Sequence, residues 1–275
     1  MPHVARIGVT PVKGMALVHP DRVDLTEAGV PGDRDLYIVD EAGALVSASE
    51  FGPLQTVRPD YDPASHRLTL TFPDGTVVDG DASRTNEALI TDFYGRPVPA
   101  HVVDGPWAAA VSAFAGIRVR LCRCDEPGAG TDVHHVTVMS RASAAEVARR
   151  GGHPGELDGR RFRMTFELDG CAPHEEDTWS GASIRIGDAE LRILGAVPRC
   201  VVTTQDPATG RKDFDTLKVI VSYRELMREQ RGIPFGVYAK VQRPGRVRVG
   251  DTVDVQQPLD PSVPATRDRD KEATS

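Results

Sequence analysis

Cys200 stands beside Arg199 in the run Val197-Pro198-Arg199-Cys200-Val201, between two β-type stretches. A cationic neighbour lowers a thiol's pKa, so this pair is placed to supply a thiolate. A thiolate can act as a nucleophile, carry sulfur or bind a soft metal, and the local sequence leaves all three open. The other cysteines read differently. Cys122 and Cys124 alternate in a strand-like run, which puts both on one face, and no His or Cys pair follows at zinc-ligand spacing. They read as buried strand thiols. Cys171 follows Asp169-Gly170 in an apparent turn without a basic neighbour. Glu176-Asp177 could form a general acid–base pair, but its turn-rich setting before Trp179 favours a loop-fixing role. His134-His135 has no carboxylate or cysteine at metal spacing and reads as structural or surface. Trp107 and Trp179 read as core or loop anchors.

The elements that must position these groups are mostly strands. In the first hundred residues, 35–39 and 44–48 flank Asp40-Glu41-Ala42-Gly43 as a hairpin, and 66–72 pairs with 76–78 around Pro73-Asp74-Gly75. After an alternating strand at 118–124, Gly128-Ala129-Gly130 marks a loop where the chain's character changes. A strand at 136–139 and a helix at 141–150 follow, with Ser143 and Glu146 as a capping box and Gly151-Gly152 as the stop. Strands are expected at 163–168, 183–186, 190–194 and 201–204, then a tight turn at Asp206-Pro207-Ala208-Thr209-Gly210. A second helix is expected at 216–230, where Arg224 interrupts the stripe of Leu217, Ile220, Val221 and Met227 as a structural pair or a ligand arm. Strands at 246–249 and 252–255 close the chain, and the polar segment 257–275 reads as a disordered tail. No internal repeat of fixed period is present.

Composition bounds the function. At 275 residues the chain can hold one large domain or two ordinary ones. It is 40% hydrophobic and 27% charged, as globular proteins are. A net charge of −7 and a pI near 5.6 argue against nucleic acid or an anionic membrane as the main partner. No apolar run reaches the roughly 20 residues that span a bilayer. Met1-Pro2-His3-Val4-Ala5-Arg6 lacks a signal peptide's apolar stretch, so a cytoplasmic location with reduced cysteines is expected.

Several segments, taken in order, form a series of short motifs. Pro11-Val12-Lys13 ends a strand, and Gly32-Asp33-Arg34 opens the next. Arg161-Phe162-Arg163, Glu176-Asp177-Thr178-Trp179 and Ile186-Gly187-Asp188 follow. The signature is Arg199-Cys200, Thr203-Thr204, Asp206-Pro207 and Gly210, completed by Tyr223-Arg224, Phe235-Gly236-Val237-Tyr238 and Val249-Gly250-Asp251. In this order the segments resemble the MOSC family, named for the C-terminal domain of molybdenum-cofactor sulfurases, together with the β-barrel domain that often precedes it. The match runs to about Val255, and the arrangement is similar to the amidoxime-reducing proteins and their bacterial counterparts. The fold implied is α+β, mostly β: an N-terminal β-barrel-like domain over residues 1–115 and a MOSC β-barrel with flanking helices over 116–256, meeting at a shared cleft.

The resemblance also implies a molybdenum–molybdopterin cofactor, with Cys200 as the metal ligand and Arg199 as its catalytic neighbour. A sulfur-rich centre suits a thiolate, and the pterin's phosphate needs fixed cations. Lys13, Arg34 and Arg163 match positions where the family supplies them; Ser47, Asp132, Thr165, Thr203, Thr204 and Asp206 match further cofactor contacts. Three positions depart from the amidoxime-reducing pattern. A serine after the lysine is Gly14 here, a Thr-Ala-Arg is Ser47-Ala48-Ser49, and an Arg-Pro-Asn is Arg163-Met164-Thr165. The activity implied is reduction of N-hydroxylated small molecules by oxygen removal. The alternatives are a sulfurtransferase carrying a persulfide on Cys200, and a cofactor binder without chemistry. The chain lacks the cysteine cluster of a ferredoxin-like domain, so the partner expected is a separate electron-donor protein or, for sulfur transfer, a cysteine desulfurase. The loops at 152–157 and 231–235, candidates for setting the substrate, carry no readable code.

Overall fold

The computed structural model describes residues 1–227 and 232–256. The chain is mostly β, with few helices. Strand β1 (His3–Ile7) buries Val4 and Ile7, and β2 (Arg22–Leu25) follows it. The expected hairpin is β3 (Leu36–Asp40) and β4 (Leu45–Val46), its turn held by the Asp40 carboxylate accepting from Ala42 N and Ala44 N. β5 (Arg58–Asp62), β6 (Arg67–Thr71) and β7 (Val77–Asp81) make a separate three-stranded sheet. β8 (Arg84–Phe93) and β9 (Arg96–Val103) then pair across a two-residue turn.

Helix α1 (Trp107–Ala115) is unexpected from periodicity. Its alanine run has high helix propensity, but so short a helix draws its stability from packing. The buried Trp107 supplies that packing and donates its indole N–H to Leu68 O at 3.2 Å. β10 (Val119–Cys124) completes a five-stranded sheet in the order β4-β3-β10-β9-β8.

Next come β11 (Val136–Ser140) and α2 (Arg141–Gly151), which stops at a left-handed Gly152. The cap of α2 is Ser140, not the Ser143–Glu146 box, because Ser140 Oγ accepts from Ala142 N while Ser143 turns to the Glu176 carboxylate. β12 (Phe166–Asp169), β13 (Ser183–Ile186) and β14 (Ala189–Arg199) follow. Residues 201–204 form a 3-10 turn rather than the expected strand, because Thr203 N turns back to Cys200 O. Helix α3 (Thr216–Val221) is shorter than expected; residues 228–230 of the expected helix and the expected tail at 257–275 lie outside the described residues. β15 (Ile233–Arg243), β16 (Gly245–Arg248) and β17 (Val253–Gln256) end the fold.

Seven strands form the larger sheet, in the order β1-β12-β11-β15-β14-β13-β17. Its two ends nearly meet, since His3 bridges Thr252 and Val4 N donates to Asp251 O. The result is an almost closed barrel around a core that includes Val4, Ile7, Val138, Phe166, Leu191 and Val237. A cut in the chain after residue 115 crosses both sheets. β1 joins the larger barrel and β2 pairs with β16, whereas β10 joins the N-terminal sheet. The segment between β2 and β3 is thus a crossing point between the two halves, and Lys13 and Arg34 lie on either side of β2.

Candidate functional site

One cleft gathers most of the chemistry-bearing residues. Its walls include Lys13, Gly14, Arg34, Ser47, Asp132 and Arg163, together with Thr165, Arg199, Cys200 and Thr203. Lys13 follows Val12, which bridges Leu36 in parallel, and its own N–H donates to Leu36 O at 2.8 Å. The ammonium is buried, donates to Gly130 O at 3.0 Å and to the Asp132 carboxylate, and sits 5.1 Å from the centre of the Phe93 ring. Burial pushes the Lys13 pKa down; Asp132 opposes that shift and the charges of Arg34 and Arg163 add to it. The Asp132 side chain is 58% exposed, and its carboxyl is held below the usual range: partial desolvation in the cleft raises it, and the charge and hydrogen bond of Lys13 outweigh that.

Arg34 and Arg163 both adopt left-handed backbone, with φ of 56° and 53°. Such conformations cost an ordinary residue of order 1–3 kcal/mol and persist where the surroundings enforce them. Here they interlock. Arg34 donates to Arg163 O at 3.2 Å and to the Asp33 carboxylate, whose second oxygen accepts from Thr10 N at 2.8 Å. Arg163 donates to Met15 O at 2.7 Å. Burial, then the charge of Arg34, lowers Arg163 to about 10. Asp132 and Asp33 balance Lys13 and Arg34, so Arg163, repelled by Arg34, leaves the cleft with an excess of positive charge that favours an anion.

Cys200 is the exposed cysteine among four; Cys122 and Cys124 are buried and Cys171 is intermediate. It directly follows the long strand β14, and the 3-10 turn after it is pinned from several sides. Thr203 Oγ1 donates to Cys200 O at 3.0 Å and shares a 2.8 Å hydrogen bond with Thr216. The buried Arg161 grips Thr203 O at 3.1 Å and both oxygens of Asp213. Gln205 donates to Ala48 O at 3.0 Å, tying the turn to the segment that carries Ser47 and Ser49. Gly52 and Gly210 lock the same junction, since a Cβ on either would lie 2.0–2.2 Å from the other's carbonyl oxygen.

Arg199 is not a free cation beside the thiol. Its guanidinium donates to Phe235 O and Phe162 O, each at 2.8 Å, and burial lowers it to about 10. Gly236, at φ 70°, bends β15 where a Cβ would meet Met164 and Val138 O, leaving room for that guanidinium.

Two of the expected contacts turn elsewhere. Thr204 donates to Val201 O, and Asp206 closes its own turn by accepting from Ala208 N and Thr209, so neither lines the cleft. Thr165 lines it while exchanging hydrogen bonds with Thr137: Thr165 N donates to Thr137 Oγ1 at 2.9 Å and Thr137 N to Thr165 Oγ1 at 3.2 Å. Ser47 turns its hydroxyl to Glu50 at 2.8 Å. Glu176, fully buried, accepts from Ser143, and Asp177 pairs with Arg224 at 2.6 Å, both fixing loops outside the cleft. Sequence reasoning missed Tyr94, His134, His135, Arg161 and Tyr238 as wall residues. Arg161 and Tyr238 lie inside the motif strings; for Tyr94 the only signal was a two-residue hairpin turn.

Among the described residues, no group of three or more His, Cys, Asp and Glu side chains could hold a metal ion. An exposed thiol in one cleft with Lys13, Arg34 and Arg163 does fit an anionic group that carries a soft metal together with its other ligands. No helix among the described residues is long and apolar enough to cross a membrane.

Residues 125–254 match the family model described as the MOSC domain, and residues 1–98 match the MOSC N-terminal beta barrel domain. The chain is 30% identical over 281 residues to mitochondrial amidoxime-reducing component 1 of Xenopus laevis, covering 91% of this chain and 81% of that protein. It is 24% identical over 281 residues to the component 1 of Mus musculus, with the same coverage. A stretch of 128 residues, 44% of this chain and 37% of the other, is 40% identical to mitochondrial amidoxime reducing component 2 of Rattus norvegicus. The order of the two domains and the near full-length similarity together place the chain in the MOSC family, among the members that carry the N-terminal β-barrel domain.

Proposed function

We propose that this protein binds a molybdenum–molybdopterin cofactor and reduces N-hydroxylated small molecules, with Cys200 as the molybdenum ligand. The observation that carries the reading is the pairing of one accessible thiol with Lys13, Arg34 and Arg163 in a single cleft. The bound cofactor would supply the two-electron redox chemistry, and the chain's own residues supply the rest. Lys13, Arg34 and Arg163 hold the phosphate end; the backbone of residues 47–49 and Thr165 border the same cleft. Arg199 and Thr203 set the orientation of Cys200 by holding the carbonyls around it. Gly14 sits at φ 87° with its would-be Cβ only 3.0 Å from Ala48 N, so its departure from serine follows from local backbone shape. Electrons come from a separate donor protein.

Metal analysis tests this reading. Protein from a host that makes the cofactor should carry stoichiometric molybdenum, and Cys200→Ala should reduce or abolish that content and the reduction of an amidoxime. A metal-free wild-type protein bearing cyanide-labile sulfur on Cys200 would overturn it in favour of persulfide carriage. Protein from a host unable to make the cofactor is the control.

A further inference from the structure

The β8–β9 hairpin ends in the two-residue turn Tyr94-Gly95, with φ of 56° and 92°. Positive φ at both central positions is the primed turn that favours Asn-Gly, and a bulky aromatic residue at the first position is unusual. Nothing in the turn itself requires Tyr94, since its side chain is 67% exposed and contributes little to the core. The hairpin that carries it is nonetheless rigid. Phe93 is buried, edge-on to Tyr37 at 4.9 Å and beneath the Lys13 ammonium. Arg96 donates to Ala129 O and Thr131 O, the loop that leads into Asp132. Asp92 accepts from Gly95 N at 3.0 Å. A strained residue with a largely exposed ring is thus placed at the cleft wall by a well-tied hairpin. Tyr94 shares that wall with Ser47, Asp132 and Cys200.

Backbone strain retained by an exposed residue at a functional cleft points to a role in that cleft. We infer that Tyr94 is a specificity-determining residue: it offers its ring to the flat, conjugated part of a substrate whose reacting end points towards Cys200. The inference rests on the proposed reductase reading for the identity of the substrate, an N-hydroxylated group conjugated to an aromatic ring. The other half of the molecule contributes aromatic surface to the same cleft, with His134 edge-on to Tyr238 at 5.2 Å. Aromatic side chains recognise flat π-systems by offset or edge-to-face contact, which an aliphatic substrate cannot return.

Two measurements on the full chain test this. In the first, cofactor-loaded wild type, Tyr94→Phe and Tyr94→Asn are compared on an aromatic and an aliphatic amidoxime. Tyr94→Asn should raise KM for the aromatic substrate roughly three- to tenfold, with kcat little changed and the aliphatic KM unmoved. Tyr94→Phe should keep the wild-type ratio. The melting temperature of Tyr94→Asn should equal or exceed that of wild type, because Asn tolerates the left-handed turn. In the second, cofactor-free protein in a Cys171→Ser background reacts with N-phenylmaleimide and N-ethylmaleimide at Cys200. The phenyl-to-ethyl rate ratio should fall several-fold in Tyr94→Asn and persist in Tyr94→Phe. An unchanged aromatic-to-aliphatic ratio in both measurements, or a lowered melting temperature with equal loss on both substrates, would overturn the inference. If loaded wild type reduces neither amidoxime, the reductase reading fails, and the maleimide ratio still decides the role of Tyr94.

Discussion

Two cysteine sites in this chain have opposite surroundings. Cys122 and Cys124 occupy adjacent inward positions of β10, in a cluster with Tyr37, Phe93, Val98 and Val102, and burial pushes both thiols up to about 12. Cys200 lies just past the end of β14 at an exposed position, in a cleft with Lys13, Arg34 and Arg163. The same side chain is a small hydrophobe in one place and an accessible sulfur in the other. Neighbouring charge in sequence does not make the difference: Arg123 lies between the buried pair just as Arg199 precedes Cys200. Position relative to the sheets does.

The largest expected effect is on accessibility. A neutral thiol reagent should label Cys200 about a thousandfold faster or more than Cys122 and Cys124, whose reaction requires opening of the sheet. Mass spectrometry of a labelling time course checks this, and similar rates at the three sites would break the comparison. Next is the junction that holds the Cys200 turn. Gly210→Ala, at φ 67° and against Gly52 O, should cost about 2–4 kcal/mol in a denaturant titration. It should also raise the labelling rate of Cys200 relative to wild type.

The contrast between burial and exposure extends to a carboxylate. Burial raises Glu176 from 4.5 to about 7, so the folded chain keeps its proton where the unfolded chain has lost it. The stability of the neutral form is fully present below about 4.5 and is lost as pH rises through about 7. Glu176→Gln should therefore flatten the pH dependence of the melting temperature between those limits, recovering up to about 3 kcal/mol above them. An unaltered pH profile would show that Glu176 stays charged. The smallest effect concerns the cations. Arg163→Met or Lys13→Met should slow the reaction of Cys200 with an anionic aromatic disulfide by roughly three- to tenfold at low salt, and leave a neutral reagent unaffected.

Much of the strand order along the chain was legible, because alternating patterns and Asp-Gly or Ala-Gly turns mark hairpins locally. β3–β4, β6–β7 and β10 lie where those signals put them. The failures have physical reasons. α1 is too short for a periodic signal and depends on Trp107 finding its pocket. The turn after Cys200 has the composition of a strand, Val-Val-Thr-Thr, yet side-chain and backbone bonds from Thr203 to Cys200 O curl it. For the cleft, motif matching found Lys13, Arg34, Asp132, Arg163 and Cys200 as residues that meet there. It also named Thr204 and Asp206, which satisfy their hydrogen bonds within their own turn.

By itself the sequence determined residue chemistry and local shape: which thiol has a motif around it, which segments alternate, and to which family the ordered motifs belong. Only the tertiary structure decided that Arg199 faces carbonyl groups rather than the thiol, that β1 seals the barrel of the other half, and that Tyr94 stands at the cleft. Each depends on groups far apart in the chain meeting in space. Burial and hydrogen-bond satisfaction at such contacts are set by the packed whole, and a local pattern of residues carries no record of them.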